Sequence, residues 1–237
     1  MITTSDIVVG ANAGRARSHN RQVILDRIRT SGRLGRAEIA RATGLSTQAV
    51  SNIIADLLSD RMIVEQGRQV VGRGLPAVQY ALNAKGGFAL GVEIRPDAVF
   101  SALLDLCGDT VASTRVPLRA KDRTSMTEAV LALRDTLLKT SGTPKTRLLG
   151  AGIVMPGPFG ATGIRGGETE LPIWDDVAPQ TWFSQALNLP VVIENDANAA
   201  AIAERIVGTA SGLKTYAYMY FGSGIGLGAV QGGRLIT

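Results

Sequence analysis

Five short polar residues stand close together in the stretch RAEIARATGLSTQAVSNIIADLLSDRMI, residues 36–63: Ser46, Thr47, Gln48, Ser51 and Asn52. Hydroxyls and primary amides both donate and accept hydrogen bonds, which is the chemistry needed to read base edges in a DNA groove. They read bases only if one exposed surface presents them, so the surrounding elements decide the matter. Ala37, Ile39 and Ala40 give a short first helix an apolar side. Gly44 then interrupts the run where the backbone can turn with positive φ at little cost. Ser46 is suited to cap a second helix, in which Val50, Ile53, Ile54, Leu57 and Leu58 recur at the spacing of one buried face. Two helices joined by a glycine turn, the second polar at its exposed start, spell a helix-turn-helix. An ordinary helical hairpin with a solvated face is the competing reading, and the flanking residues weigh against it.

Those flanking residues are basic. Residues 1–84 hold eleven arginines and no lysine against six acids, while residues 85–237 balance fourteen basic against fourteen acidic side chains. The whole net charge of +5 therefore sits in the segment with the polar helix, where a polyanion would want it. Arginine favours forked contacts to phosphate and guanine. Arg36, at the start of the first helix, and Arg73 join Ser46, Thr47, Gln48, Ser51 and Asn52 in the expected DNA-binding set.

Length and composition bound the rest. A chain of 237 residues, 45% apolar, suffices for two core-forming domains. No apolar run approaches the roughly 20 residues of a membrane span, and the start lacks the apolar core of a secretory signal. The cytoplasm is the expected compartment, with no membrane partner. One cysteine excludes an internal disulfide, and with a single histidine it leaves too few soft ligands for a structural zinc site. Cys107 is expected to be a buried, inert thiol and His19 a solvated side chain. No cofactor and no metal are expected.

Taken in order, residues 1–17 show no sustained periodicity and read as a flexible arm. Val23, Ile24, Leu25 and Ile28 place a helix over Asn20–Thr30. Strand-like runs near 62–66 and 77–82 flank Val71-Gly72-Arg73-Gly74-Leu75-Pro76, which predicts a β-hairpin wing. Arg73 between two glycines can enter a minor groove, whose negative potential attracts arginine, or can simply be solvated at a plain hairpin tip. A winged helix-turn-helix is thus expected over residues 18–84, with a short linker at Asn83–Gly87. From there the pattern becomes α/β and runs to residue 237. Three strands (Phe88–Ile94, Val99–Asp105, Thr110–Pro117) precede a helix at Ser125–Thr140. An apolar strand at Leu148–Met155 reads as buried on both faces. A helix near 177–187, a strand at Leu189–Glu194, a helix at Ala197–Val207 and strands at Thr215–Phe221 and Gly228–Gln231 complete the set.

Ordered motifs then carry a family resemblance: TGLSTQAVSNII, GRGLPA, GIVMPGP at 152–158, LPVVIENDANAAAIAE at 189–204 and FGSGIGLGAVQGG at 221–233. From about Asn20 onward the chain resembles transcriptional regulators of the ROK family (repressors, open reading frames and sugar kinases). The resemblance implies a winged head followed by a partial actin-like, ribonuclease-H-like sugar kinase fold. It also implies homodimers or higher homo-oligomers and a sugar or sugar phosphate as effector. In the family's kinases an Asn-Asp pair after a strand meets the sugar, and it matches Asn195-Asp196. Asp196 would then be a vestigial general base and Asn195 a hydroxyl partner; the bland alternative is that Asp196 caps the following helix. Gly157 and the loop from Glu170 to Trp174 resemble the segment that closes over the sugar, with Glu170 where the usual pattern has asparagine. Family members continue well past this point, through a histidine-and-cysteine zinc site, further sugar contacts and much of the oligomer interface. The resemblance therefore implies an incomplete second lobe.

The nucleotide side departs from the family's kinases. Their Asp-x-Gly-Gly-Thr turn is replaced by Glu93-Ile94-Arg95-Pro96, where proline offers no N–H and two side chains crowd a phosphate. Gly222, Gly224 and Gly226 stand as a vestigial phosphate loop or a plain tight turn. The expected function is a sugar-responsive DNA-binding regulator, a repressor of carbohydrate-utilisation genes that is not an enzyme. The alternatives are an ATP-dependent sugar kinase with an accessory DNA-binding head and a winged module that binds protein.

Overall fold

The computed structural model describes residues 10–69, 76–157, 174, 177–222 and 224–236. The chain divides into two compact units, Met1–Gly87 with Asp105–Gly108, and Phe88–Leu104 with Asp109–Thr237.

In the first unit, α1 runs over Gly10–Ser31, α2 over Arg36–Thr43 and α3 over Thr47–Ser59. Residues 10–17 are helical where an arm was expected. The segment has no apolar stripe, but Arg17 and Arg21, one turn apart, meet Asp56 and Asp60, one turn apart on α3. Residues 1–9 lie outside the described residues. Glu38 of α2 accepts the Gly35 N–H at 2.7 Å, the returning half of a capping box. Gly44 ends the helix at φ 71°, its N–H bonded to the Ala40 carbonyl, a conformation that a Cβ would strain. Ile24, Ile28, Ile39, Val50, Ile53, Ile54, Leu57, Ile63 and Tyr80 form the core. Leu58, expected in that face, is only partly buried against it.

Beside the helices lies an antiparallel sheet of order β1-β3-β2, with β1 at Leu34–Gly35, β2 at Ile63–Gln69 and β3 at Ala77–Leu82. The sheet has one strand more than the expected hairpin, since Leu34 pairs with Tyr80 and Gly35 with Gln79. The hairpin tip, residues 70–75, is outside the described residues. A single 3-10 turn, Ala84–Gly86, stands where the linker was expected.

The second unit opens on β4 (Phe88–Ile94), β5 (Ala98–Asp105) and β6 (Thr110–Pro117), followed by α4 (Arg123–Ser141) and β7 (Leu148–Met155). Then come α5 (Pro179–Leu187), β8 (Val191–Asn195), α6 (Asp196–Val207), β9 (Tyr216–Phe221), β10 (Ile225–Gln231) and β11 (Arg234–Leu235). Five strands form one mixed sheet of order β6-β5-β4-β7-β8, in which β4, β7 and β8 are parallel. Phe88, Leu90, Val92 and Ile94 alternate onto the face shared with Met126, Val130, Leu133 and Leu137 of α4 and Phe183 of α5. That side is the core. On the other side Leu149 is 46% and Val192 68% exposed, so β7 is central in the sheet but buried on one face only, contrary to the reading of its apolar run. Cys107, expected to be buried, is exposed in the turn between β5 and β6, where its N–H donates to Asp105.

The remaining sheet, of order β11-β10-β9, carries α6 on one side. A Cβ at Gly228 would come within 2.4 Å of the Ala197 carbonyl, and one at Gly226 within 2.7 Å of the Ala197 methyl. The small residues of α6 and the glycines of β10 let the helix lie directly on the backbone of the sheet.

Candidate functional site

The polar residues of the first unit come together at the start of α3. Ser46 is its N-cap and accepts the Ala49 N–H through Oγ at 3.2 Å. Thr47, Gln48 and Asn52 are exposed and Ser51 is half-buried. Gln48 Nε2 donates to Asn52 Oδ1 at 3.0 Å, so the two amides are joined along one face a single turn apart. Their unshared donors and acceptors remain turned to solvent. Arg36 is exposed, with its guanidinium 5.0 Å from the centre of the Tyr80 ring. Arg73 falls outside the described residues.

The arginines of this unit divide into two groups. Arg17, Arg21 and Arg29 are paired with Asp56, Asp60 and Asp26, and the Asp56 carboxylate raises the Arg17 pKa further. Arg27, Arg33, Arg41 and Arg68 are exposed. Net charge alone did not reveal that part of the positive charge is spent within the fold.

The second unit gathers its polar residues at the carboxyl ends of its three parallel strands, where sheets of this kind leave a crevice. Register places Glu93 beside Val154 and Met155 beside Asn195. A cleft of about 260 Å³ results, lined by Glu93, Arg95, Pro96, Asp97, Pro156, Asp196, Tyr220 and Gly222 among others. Arg95 donates from Nε and Nη2 to the two oxygens of Glu93, at 2.8 and 3.1 Å, and lies 4.6 Å over the Phe100 ring. This hydrogen bonding raises the Arg95 pKa. Burial first, then the charges of Glu93 and Asp196, raise that of the Tyr220 hydroxyl, which stays protonated at neutral pH.

Asn195, not Asp196, is the N-cap of α6. It is buried, and its Oδ1 accepts the Asn198 N–H at 2.8 Å. Glu194 Oε1 accepts from Asn195 N and Asn198 Nδ2, both at 2.9 Å, which fixes the cap from behind. Asp196 occupies the first helical position, half-buried, with Oδ1 accepting from Ala197 N at 2.8 Å. The helix therefore holds Asp196 at the cleft while its neighbour does the capping.

Gly157 follows Pro156, which lines the cleft, but is not itself part of the lining, and Glu170 lies outside the described residues. The three glycines read as one loop part company. Gly222 lines the cleft and donates its N–H to the Gly224 carbonyl at 2.9 Å. Gly226 is inside β10, paired with Tyr220 and pressed on α6, so its missing side chain serves packing. Tyr220 and Asp97 were not anticipated. The alternation Tyr216, Tyr218, Tyr220 along β9 was the available signal, since period two puts all three on one face.

The ROK family's sequence profile matches residues 89–237. The chain belongs to the ROK family. A xylose repressor of Bacillus subtilis (strain 168) is 26% identical over 216 residues, covering 91% of this chain and 56% of the repressor. A glucokinase of Halalkalibacterium halodurans is 27% identical over 154 residues, covering 62% of this chain and 45% of the kinase. Among solved structures, a ROK family transcriptional regulator described as a homologue of the Escherichia coli Mlc protein superposes with a TM-score of 0.74. It is 22% identical and covers 93% of this chain and 56% of its own, which supports the fold. The chain spans about half the length of the curated relatives it matches. An alignment of 216 residues necessarily takes in most of the first unit of this ROK chain, whereas one of 154 residues does not need it. Among the described residues no helix is long and apolar enough to cross a membrane.

Proposed function

We propose that this ROK chain is a sugar-responsive, DNA-binding transcriptional regulator, a repressor of carbohydrate-utilisation genes that works in the cytoplasm. The observation that carries this reading is the start of α3: capped by Ser46, exposed, and lined by Thr47, Gln48, Ser51 and Asn52 on a unit that holds all the surplus positive charge. In this reading residues 18–84 are a winged helix-turn-helix, α3 enters the major groove, and β2 and β3 form the wing that carries Arg73 toward a minor groove. Exposed arginines, with Arg36 among them, position the unit on phosphates. A homodimer would present two such units to a pseudo-palindromic operator. The likeness to a xylose repressor across 91% of the chain supports a head and an effector domain acting together.

Residues 85–237 then sense the sugar, with Asn195, Asp196, Gly157 and Glu170 at the site. A sugar bound there acts on the operator only through differential affinity for two states of the protein. The test is duplex binding by fluorescence anisotropy, with and without a panel of sugars. Asp196→Ala should abolish a sugar response and leave unliganded DNA affinity intact; an unchanged response removes Asp196 from the site.

A second reading, an ATP-dependent sugar kinase with an accessory DNA-binding head, is favoured by the glucokinase likeness. Against it stands Arg95, which is tied to Glu93 beside Pro96 where the family's kinases present free backbone N–H groups. Phosphoryl transfer depends almost entirely on positioning of the phosphates, and in this turn Pro96 has no N–H and the Arg95 N–H is bonded to the Ala98 carbonyl. An ATP-dependent phosphorylation assay over the same sugars separates the two readings.

A further inference from the structure

Gln48, Asn52, Ala55 and Ser59 recur along one exposed stripe of α3, with Thr47 exposed beside Gln48. Ser46 is spent on the cap, since its Oγ accepts the Ala49 N–H. The bond from Gln48 Nε2 to Asn52 Oδ1 uses one donor and one acceptor. Each amide keeps at least one further donor and one further acceptor, and this holds equally if N and O are exchanged in both. None of the eleven arginines of residues 1–84 falls within Thr47–Ser59, and neither does a lysine. The one acid of the helix, Asp56, is paired with Arg17.

The bases of a major groove differ in what they ask of such a stripe. Guanine presents two acceptors, N7 and O6, which suit the paired donors of an arginine. Adenine presents an acceptor and a donor side by side, N7 and N6–H, which suit the donor and acceptor of one primary amide. Thymine adds a methyl group, which suits a small apolar side chain. The stripe on α3 supplies amides and methyl groups, and the helix itself supplies no cation. We propose that α3 reads adjacent A·T pairs. The Asn52 amide holds adenine N6 and N7, Gln48 fixes that amide and reaches the neighbouring pair, and the Thr47 and Ala55 methyls meet thymine. Guanine in the same place sets one of its acceptors against the Asn52 oxygen. The inference rests on the DNA-binding reading above and names the bases that this helix selects.

Selection of duplexes from a random library, run in parallel with the 237-residue protein and with Asn52→Ala, tests it. At least one A·T position selected by the unmodified protein should become indifferent in Asn52→Ala. On the selected duplex, a change to G·C at that position should weaken binding by the unmodified protein about tenfold or more and leave Asn52→Ala unaffected. Circular dichroism checks that the variant is folded, and modified bases test the contacts with no variant at all. 7-Deazaadenine, which lacks the N7 acceptor, should weaken binding at that position, and uracil in place of the adjoining thymine should cost about fourfold. A G·C position made indifferent by Asn52→Ala, or no position changed, overturns the inference and leaves the DNA-binding reading standing. Unchanged affinity for the 7-deazaadenine duplex overturns the adenine contact, and unchanged affinity for the uracil duplex overturns the methyl contact. Failure to select any duplex at about 50 mM salt removes the DNA-binding reading, and the inference with it.

Discussion

Gln48 and Asn52 are joined by a hydrogen bond one helical turn apart, so they offer their remaining donors and acceptors to a groove as one unit. If they read bases, Gln48→Ala and Asn52→Ala each cost on the order of 1–3 kcal/mol of specific binding. Because each holds the other in place, the double variant should lose less than the two single losses combined, by about 0.5 kcal/mol or more. A double-mutant cycle on a selected operator measures this, and equal losses on random DNA would show that the pair does not read sequence. Asn195 belongs to a different kind of argument. It is buried and caps α6, so Asn195→Ala should lower stability by about 1–2 kcal/mol in urea unfolding, before any effect on ligand. A fully stable Asn195→Ala protein would contradict the capping role.

Elements with a strong apolar period were legible from residues alone. The face of α3 and the alternation of β4 follow from burial, and burial leaves a periodic trace. The features missed are held by other means. The amino-terminal half of α1 is tied to α3 by the Arg17–Asp56 and Arg21–Asp60 pairs, which no hydrophobic period encodes. β1 and β11 are two residues each and leave no period at all. Gly226 reads with the loop, and Gly228 only as a strand residue, because a glycine serves a turn and a close approach equally well. In the structure the second use prevails, so Gly228→Ala should force α6 away from β10 and cost about 1–3 kcal/mol. A neutral effect in thermal unfolding would mean that α6 does not lie as closely as described. At the cleft, the Asn-Asp pair could be found by motif, whereas Tyr220 and Asp97 reach it only through the fold.

For the whole molecule, charge and family likeness point the same way. All the surplus positive charge lies in the first 84 residues, and the alignment with a named repressor extends through most of them. In the second unit the turn that follows β4 is tied by an internal ion pair between Glu93 and Arg95. In the function proposed above, the first unit grips duplex DNA while the second senses a sugar without catalysing. The most direct test is the affinity of the purified chain for duplex DNA, followed by anisotropy from about 50 to 200 mM salt. Tight binding is expected at the low end, with a log–log slope of about −4 or steeper at about −0.9 per neutralised phosphate. Failure to bind any duplex at the lowest salt, together with ATP-dependent phosphorylation of a sugar, would contradict the proposed function.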